Sequence, residues 1–312
     1  MSLAPIVLFA YDRPAHVKQT LESLRKNDLA QQSDLFVYID GPKENSSPER
    51  LKNIEAVTTI VEEVKWTKSI TIVRAEKNKG LANSVMEGVS KVVKEFGKVI
   101  VVEDDVLLSP YFLQFMNDAL DKYKDDAKVL SIGSWNYFCD EHAVKDNFFY
   151  RFPDSIAWAT FDRAWDLLEK DGEKALKSIE KKNKLDYFNG QLKYPYFSNM
   201  LQMQIDGKIS SWAIRWTATS ILHDKLNFFP KQTLSKHMGF GAAATHEKTE
   251  ADYNAHLQVA QHKIEIGDVE VIENKIAFQQ WQKFVRANFL PRKTLKEQLK
   301  RFVPEVLIRL FR

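Results

Sequence analysis

The stretch Val99-Ile100-Val101-Val102-Glu103-Asp104-Asp105 decides how the rest of the chain is read. Four β-branched residues in a row fit a strand buried on both faces, as in a parallel sheet. Three carboxylates follow without a spacer. Acids directly after a buried strand are held rigidly, and hard divalent ions such as Mg2+ or Mn2+ take carboxylate oxygens while bridging to substrate phosphates. Clustered like charges repel, so a bound cation stabilises them. The competing reading is an Asp that caps the next helix. Ser109-Pro110 already supplies a cap and a first-turn proline, which leaves the acids for another purpose.

Three similar units precede this one. Ile6-Val7-Leu8-Phe9-Ala10 reads as a buried strand, and Pro14 opens a helix with Val17, Leu21 and Leu24 on one face. Leu35-Phe36-Val37-Tyr38-Ile39 is a second strand ending at Asp40-Gly41-Pro42, and Ser47-Pro48 opens a helix carrying Leu51, Ile54, Val57, Val61 and Val64. Ile70-Thr71-Ile72-Val73 is a third strand. Asn78-Lys79-Gly80 then leads into a helix bearing Leu81, Val85, Val89, Val92 and Phe96, which Gly97 stops. Strands alternating with helices predict an α/β fold with a mostly parallel central sheet flanked by helices and joined by right-handed crossovers.

Ligands of such sheets bind beyond the carboxyl ends of the strands. That rim collects Ala10, Tyr11, Asp12, Arg13, Asp40, Lys79, Gly80 and the acidic trio, and nucleotide binding is the expectation for it. Helix capping by Asp12 and turn formation by Asp40 are the plainer alternatives. Gly80 allows close backbone approach, and a helix N-terminus favours an anionic ligand. No glycine-rich dinucleotide fingerprint and no P-loop are present, which argues against dehydrogenases and ATPases. Phosphoryl transfer is disfavoured too, because Asp104-Asp105-Val106-Leu107 lacks the spacing of a nucleophilic Asp and its acid partner.

The second half is less regular. Val129-Leu130-Ser131-Ile132 reads as a strand, Phe148 through Trp158 is rich in aromatics, Ala164 through Ile179 reads as a charged helix, and Phe197 through Ile205 as a shorter one. Gly239, Gly241 and Ala242-Ala243-Ala244 predict a mobile loop ending at Thr245-His246. A neutral imidazole there can complete a metal shell, so His246 is the candidate partner of Asp105.

Composition sets the outer bounds. With 312 residues, 44% hydrophobic and 28% charged, the chain has the make-up of a soluble globular protein. Cys139 is the single cysteine, which excludes an intramolecular disulfide or a thiolate cluster and fits a reducing cytoplasm. No basic signal-peptide start and no run near the ~18 apolar residues of a spanning helix are found, so neither a leader nor an integral membrane protein is expected. The net charge is only +3, but the excess lies at the C-terminus, in Arg292, Lys293, Lys296, Lys300, Arg301, Arg309 and Arg312. Opposite them, Leu295, Leu299, Phe302, Val303, Val306, Leu307 and Leu310 form a stripe, the pattern of a helix lying on an anionic membrane surface. Docking on its own domain is the alternative. Nucleic-acid binding is not expected, because the basic charge is confined to this tail.

At this level of detail the chain resembles glycosyltransferases of the GT-A fold, close to bacterial family 2-like enzymes and similar to N-acetylglucosaminyltransferase I. The resemblance rests on Val7 through Pro14, Asn78-Lys79-Gly80-Leu81, Val102 through Asp105, Ala157 through Trp165, Ser211 through Trp216, and Gly239-Phe240-Gly241 before Thr245-His246. It implies a Rossmann-like GT-A fold with a C-terminal helical tail. It divides the chain into a nucleotide-sugar-binding half (1–125), an acceptor half (126–265) and a basic amphipathic tail (266–312). It further implies Mn2+ or Mg2+ on Asp105 with His246 nearby, and a UDP-sugar donor held by Ala10, Tyr11, Arg13, Asp40, Lys79, Gly80 and Asp104. The acceptor would be a glycan or a polyprenyl-diphosphate-linked intermediate at the cytoplasmic face of a bacterial membrane. An inverting reaction needs a carboxylate base. Relatives often carry an acid beside the later Ser-Trp, whereas this chain reads Ser210-Ser211-Trp212, leaving Asp206 and Asp154 as candidates. A retaining enzyme and a non-catalytic glycan-binding module remain the alternatives.

Overall fold

The apolar runs of the first hundred residues become strands within a residue of where the pattern ends. In a computed structural model, which describes residues 2–136, 143–238 and 257–290, the chain starts with β1 (Ile6–Ala10), α1 (Pro14–Arg25), β2 (Asp34–Ile39), α2 (Pro48–Glu62), β3 (Ser69–Arg74), α3 (Leu81–Phe96) and β4 (Lys98–Glu103). Gly97, at φ 76°, ends α3 in the left-handed conformation that glycine adopts without strain. Next come β5 (Val106–Leu108), α4 (Phe112–Tyr123), β6 (Val129–Gly133), β7 (Phe148–Tyr150), β8 (Ala157–Phe161), α5 (Asp162–Trp165) and α6 (Gly172–Lys181). The described chain finishes with α7 (Leu185–Phe188), α8 (Tyr196–Ile205), α9 (Ala213–Leu222), β9 (Leu226–Phe229), β10 (Ser235–His237) and α10 (Lys275–Asn288).

Eight strands form one sheet in the order β3-β2-β1-β4-β8-β6-β9-β7. β3, β2, β1 and β4 pair in parallel, β6 and β9 do so further along, and β8 and β7 run against their neighbours. This is the α/β fold with a mostly parallel central sheet flanked by helices that the alternating strands and helices predict. β1 and β4 are buried along their length because helices cover both faces, which explains the unbroken apolar runs.

Two features differ from the sequence reading. The charged helix expected over 164–179 is broken into α5 and α6. Leu168 turns into the core between them, the Glu169 amide donates to Thr219 Oγ1 at 3.1 Å, and the Asp171 carboxylate caps α6 by accepting from Lys174 N at 3.1 Å. An Asp that bonds local amides favours a helix start over a helix interior. Ser109 is likewise not the cap residue of α4, a position taken by Tyr111. Its hydroxyl accepts from Tyr111 N at 3.2 Å and donates to Ala260 O at 2.6 Å, tying this turn to a distant segment.

Beyond β4 the chain bends through Asp104-Asp105 into β5, which pairs antiparallel with β10 in a second, two-stranded sheet. α1 holds the bend. Thr20 Oγ1 donates to Asp104 O at 2.8 Å and accepts from Val106 N at 3.1 Å, and Ser23 Oγ accepts from Leu108 N at 3.1 Å.

A second apolar cluster lies under α6 to α10 and combines aliphatic side chains with a group of packed rings. Phe152 stacks on Trp281 with centroids 4.0 Å apart, and Tyr150 meets Phe229 edge-on at 4.8 Å. α10 buries Ala277, Phe278, Trp281 and Val285 there, and its Asn274 cap donates a backbone bond to Phe149 O at 2.8 Å. Among the described residues no helix is long and apolar enough to cross a membrane.

Two outcomes follow for stability. Trp281→Ala removes a ring stacked on several others and is expected to cost about 3–5 kcal/mol in urea unfolding. Thr20→Val keeps the shape but strands Val106 N and Asp104 O, and is expected to cost about 1–3 kcal/mol in the same measurement.

Candidate metal and nucleotide site

The three acids leave β4 where the sheet ends, and their surroundings differ sharply. Asp105 is 5% exposed. Its Oδ2 accepts from Arg13 Nη1 at 2.8 Å, while Oδ1 is buried and makes no hydrogen bond among the described residues. Facing Oδ1 at 3.4 Å is His237 Nε2. Pairing of β10 with β5 puts His237 opposite Val106, and Met238 N donates to Asp105 O at 2.7 Å, which fixes the imidazole beside the bend. Glu103, Asp105 and His237 each offer one ligand atom, and these atoms lie within 4.8 Å of one another. Two carboxylates and an imidazole, with one buried carboxylate oxygen left unbonded, fit a divalent ion that accepts oxygen and nitrogen donors.

The electrostatics agree. Loss of solvent raises the Glu103 carboxyl well above its usual range, reinforced by Asp105, Asp104 and Asp154 and opposed by Arg13. Asp104 is pushed up to about 7, first by burial and then by Asp105, against Arg13 and the Tyr11 amide that donates to it at 3.3 Å. Acids that hold protons this readily are short of positive charge.

Asp40 is committed elsewhere. Oδ1 accepts from Gly41 N at 2.9 Å and Lys79 N at 2.8 Å, and Oδ2 accepts from Asn78 Nδ2 and Gly80 N, both at 2.9 Å. One carboxylate thus ties the end of β2 to the start of α3. The Lys79 and Gly80 amides, expected to face an anionic ligand, point at Asp40 instead, and the Lys79 ammonium pairs with Glu87. Ala10 ends β1, and its carbonyl accepts from Asp40 N at 2.9 Å. The Tyr11 hydroxyl is buried and has no hydrogen-bond partner among the described residues. Asp12 does not cap α1 but pairs with Arg50 at 2.8 Å.

The two candidate bases lie in different settings. Asp154 is buried, with Oδ2 accepting from Ser134 N at 2.9 Å and Trp135 N at 3.0 Å, and Oδ1 from Ile156 N at 3.0 Å. Burial raises its pKa and these amides pull it back. Its charge reaches Glu103, so it borders the acidic cluster. Asp206 sits at the end of α8, where Gln202 and Lys208 each donate to it at 2.8 Å and hold its pKa down. A groove of about 510 Å3 lined by Phe96, Lys98, Asp121, Lys124 and Arg163 opens at the start of β4, the opposite end from the acids.

Sequence reasoning alone misses His237. Its signal is slight: a single apolar residue, Leu234, before Ser235-Lys236-His237 soon after a strand. His246, the imidazole that the sequence favours, lies outside the described residues.

No curated protein matches the chain. Among solved structures, a mannosyltransferase from Pyrobaculum calidifontis in complex with GDP-Man and Mn2+ is 12% identical over 70% of this chain and 74% of its own, with a TM-score of 0.36. S. aureus TarS is 11% identical over 74% of this chain and 59% of its own, with a TM-score of 0.39. Mouse xyloside xylosyltransferase 1 in its apo form is 10% identical over 70% and 81%, with a TM-score of 0.34. At that distance these are loose resemblances. A family model is decisive: the one described as the GNT-I family matches residues 1–177, more than half of the chain. The chain belongs to the GNT-I family, whose members are nucleotide-sugar glycosyltransferases of the GT-A fold.

Proposed function

We propose that this protein transfers a sugar, with inversion, from a UDP-sugar to a glycan or polyprenyl-diphosphate-linked acceptor in bacterial surface polysaccharide synthesis. The observation that carries the reading is the unbonded, buried Asp105 Oδ1 facing His237 and Glu103 at the end of β4. In this reading Asp105, Glu103 and His237 hold Mn2+ or Mg2+, with His237 in the role expected of His246. The bound ion stabilises charge on the departing nucleoside diphosphate. Ala10, Tyr11 and Asp104 line the nucleoside side. Asp40 acts by ordering Lys79 and Gly80 through its four bonds. Of the two candidate bases, Asp154 is favoured, because it is the one whose charge reaches Glu103. The basic segment 291–312 lies outside the described residues, and we assign it to the anionic cytoplasmic face of the membrane on its sequence pattern.

A second reading, a glycan-binding module with a degenerate site, is favoured by one feature. Beside Ser211-Trp212, where relatives often carry an acid, this chain has Ser210 and Ala213, and Ser211 itself accepts from Ile214 N at 3.3 Å at the start of α9.

Release of nucleoside diphosphate from a panel of nucleotide sugars with Mn2+ separates the two. Turnover with a UDP-sugar is the expected result, and binding without turnover across the panel favours the degenerate module. Asp105→Asn is expected to abolish metal-dependent donor binding in calorimetry. His237→Ala is expected to weaken Mn2+ binding by about tenfold or more, since even groups behind metal ligands have effects of that size.

A further inference from the structure

Arg13 grips the residue that is best placed to hold the metal. Its guanidinium reaches Asp105 Oδ2 at 2.8 Å, and the pair is largely shielded, with side-chain exposures of 20% and 8%. It also faces Glu103 and Asp104, whose carboxylates feel its charge. Asp105 therefore carries a cation on one oxygen and leaves only the other, Oδ1, open toward His237 and Glu103. A divalent ion entering there meets a fixed positive charge across a single carboxylate, in a site where solvent screens little.

We infer that Arg13 is a positioning residue that couples the metal to the donor: it opposes metal binding alone and changes partner from Asp105 to the diphosphate when both arrive. The inference rests on the proposed donor site. The chemistry suits the exchange. A planar guanidinium forms paired bonds to phosphate oxygens as readily as to a carboxylate. A diphosphate brings the negative charge that relieves repulsion between Arg13 and the ion, and the released Asp105 has its second oxygen available to the metal. Linkage makes the effect reciprocal, so the nucleotide tightens the metal by the factor by which the metal tightens the nucleotide.

The test is titration of Mn2+, followed by the electron paramagnetic resonance of the free ion, with and without saturating UDP. Wild-type protein is expected to bind Mn2+ about tenfold or more tightly with UDP than without. Arg13→Gln is expected to bind Mn2+ alone severalfold more tightly than wild type and to lose most of that coupling. A structural role alone predicts the opposite, weaker metal binding as the Asp105 carboxylate loses its support. Arg13→Lys keeps the charge without the fork and is expected to bind Mn2+ alone within about twofold of wild type. It also serves if the Gln variant does not fold: Arg13→Lys with Mn2+ binding several times weaker than wild type overturns the inference. Arg13→Gln that binds Mn2+ no more tightly, or keeps the full coupling, overturns it as well. Wild type that binds no Mn2+ with either UDP or GDP overturns the donor-site reading itself, and with it this inference.

Discussion

A carboxylate held away from water needs compensation, and Asp105 is where this protein concentrates that demand. Burying an unpaired charge costs several kcal/mol, so the chain surrounds this side chain with groups that offset it. Arg13 comes from the start of α1 and His237 from β10, while the acids of the β4 end, Glu103 and Asp104, add like charge that increases the demand. The bend after β4 brings these elements together. If β4 continued straight, no short strand would lie beside β10, and His237 would have no register to place it.

The same economy holds at the other carboxylates of the rim. Asp40 and Asp154 each gather several backbone amides, and neither has the open oxygen of Asp105. They stiffen loops around the site: one between β2 and α3, the other between the turn after β6 and the turn before β8. Among the described carboxylates of this rim, Asp105 is the one that combines burial with an unbonded oxygen.

Much of this architecture is legible in the amino-acid sequence. β1 and β4 show there because strands covered on both faces must be apolar, β2 and β3 because their apolar residues alternate or cluster between turn residues, and the acids because they interrupt an apolar run. Arg13 and Asp105 both stand out as rim residues, although their contact does not. What the sequence hides depends on pairing across long separations. β5 and β10 have three residues each, too few to display a period, and only their partnership gives His237 its place. That four donors face Asp40 is likewise not visible in the sequence. The break between α5 and α6 is hidden for a similar reason, since Leu168 continues the helical pattern while the core draws it inward.

α1 touches the acidic bend in two ways. Near its middle, Thr20 bonds the backbone on both sides of Asp105, and at its start Arg13 holds the Asp105 side chain. The first grip sets shape and the second sets charge. Because they are separate, a change in the side-chain grip leaves the backbone clamp of Thr20 in place. The bend can thus keep its backbone shape whatever the charge around the Asp105 side chain.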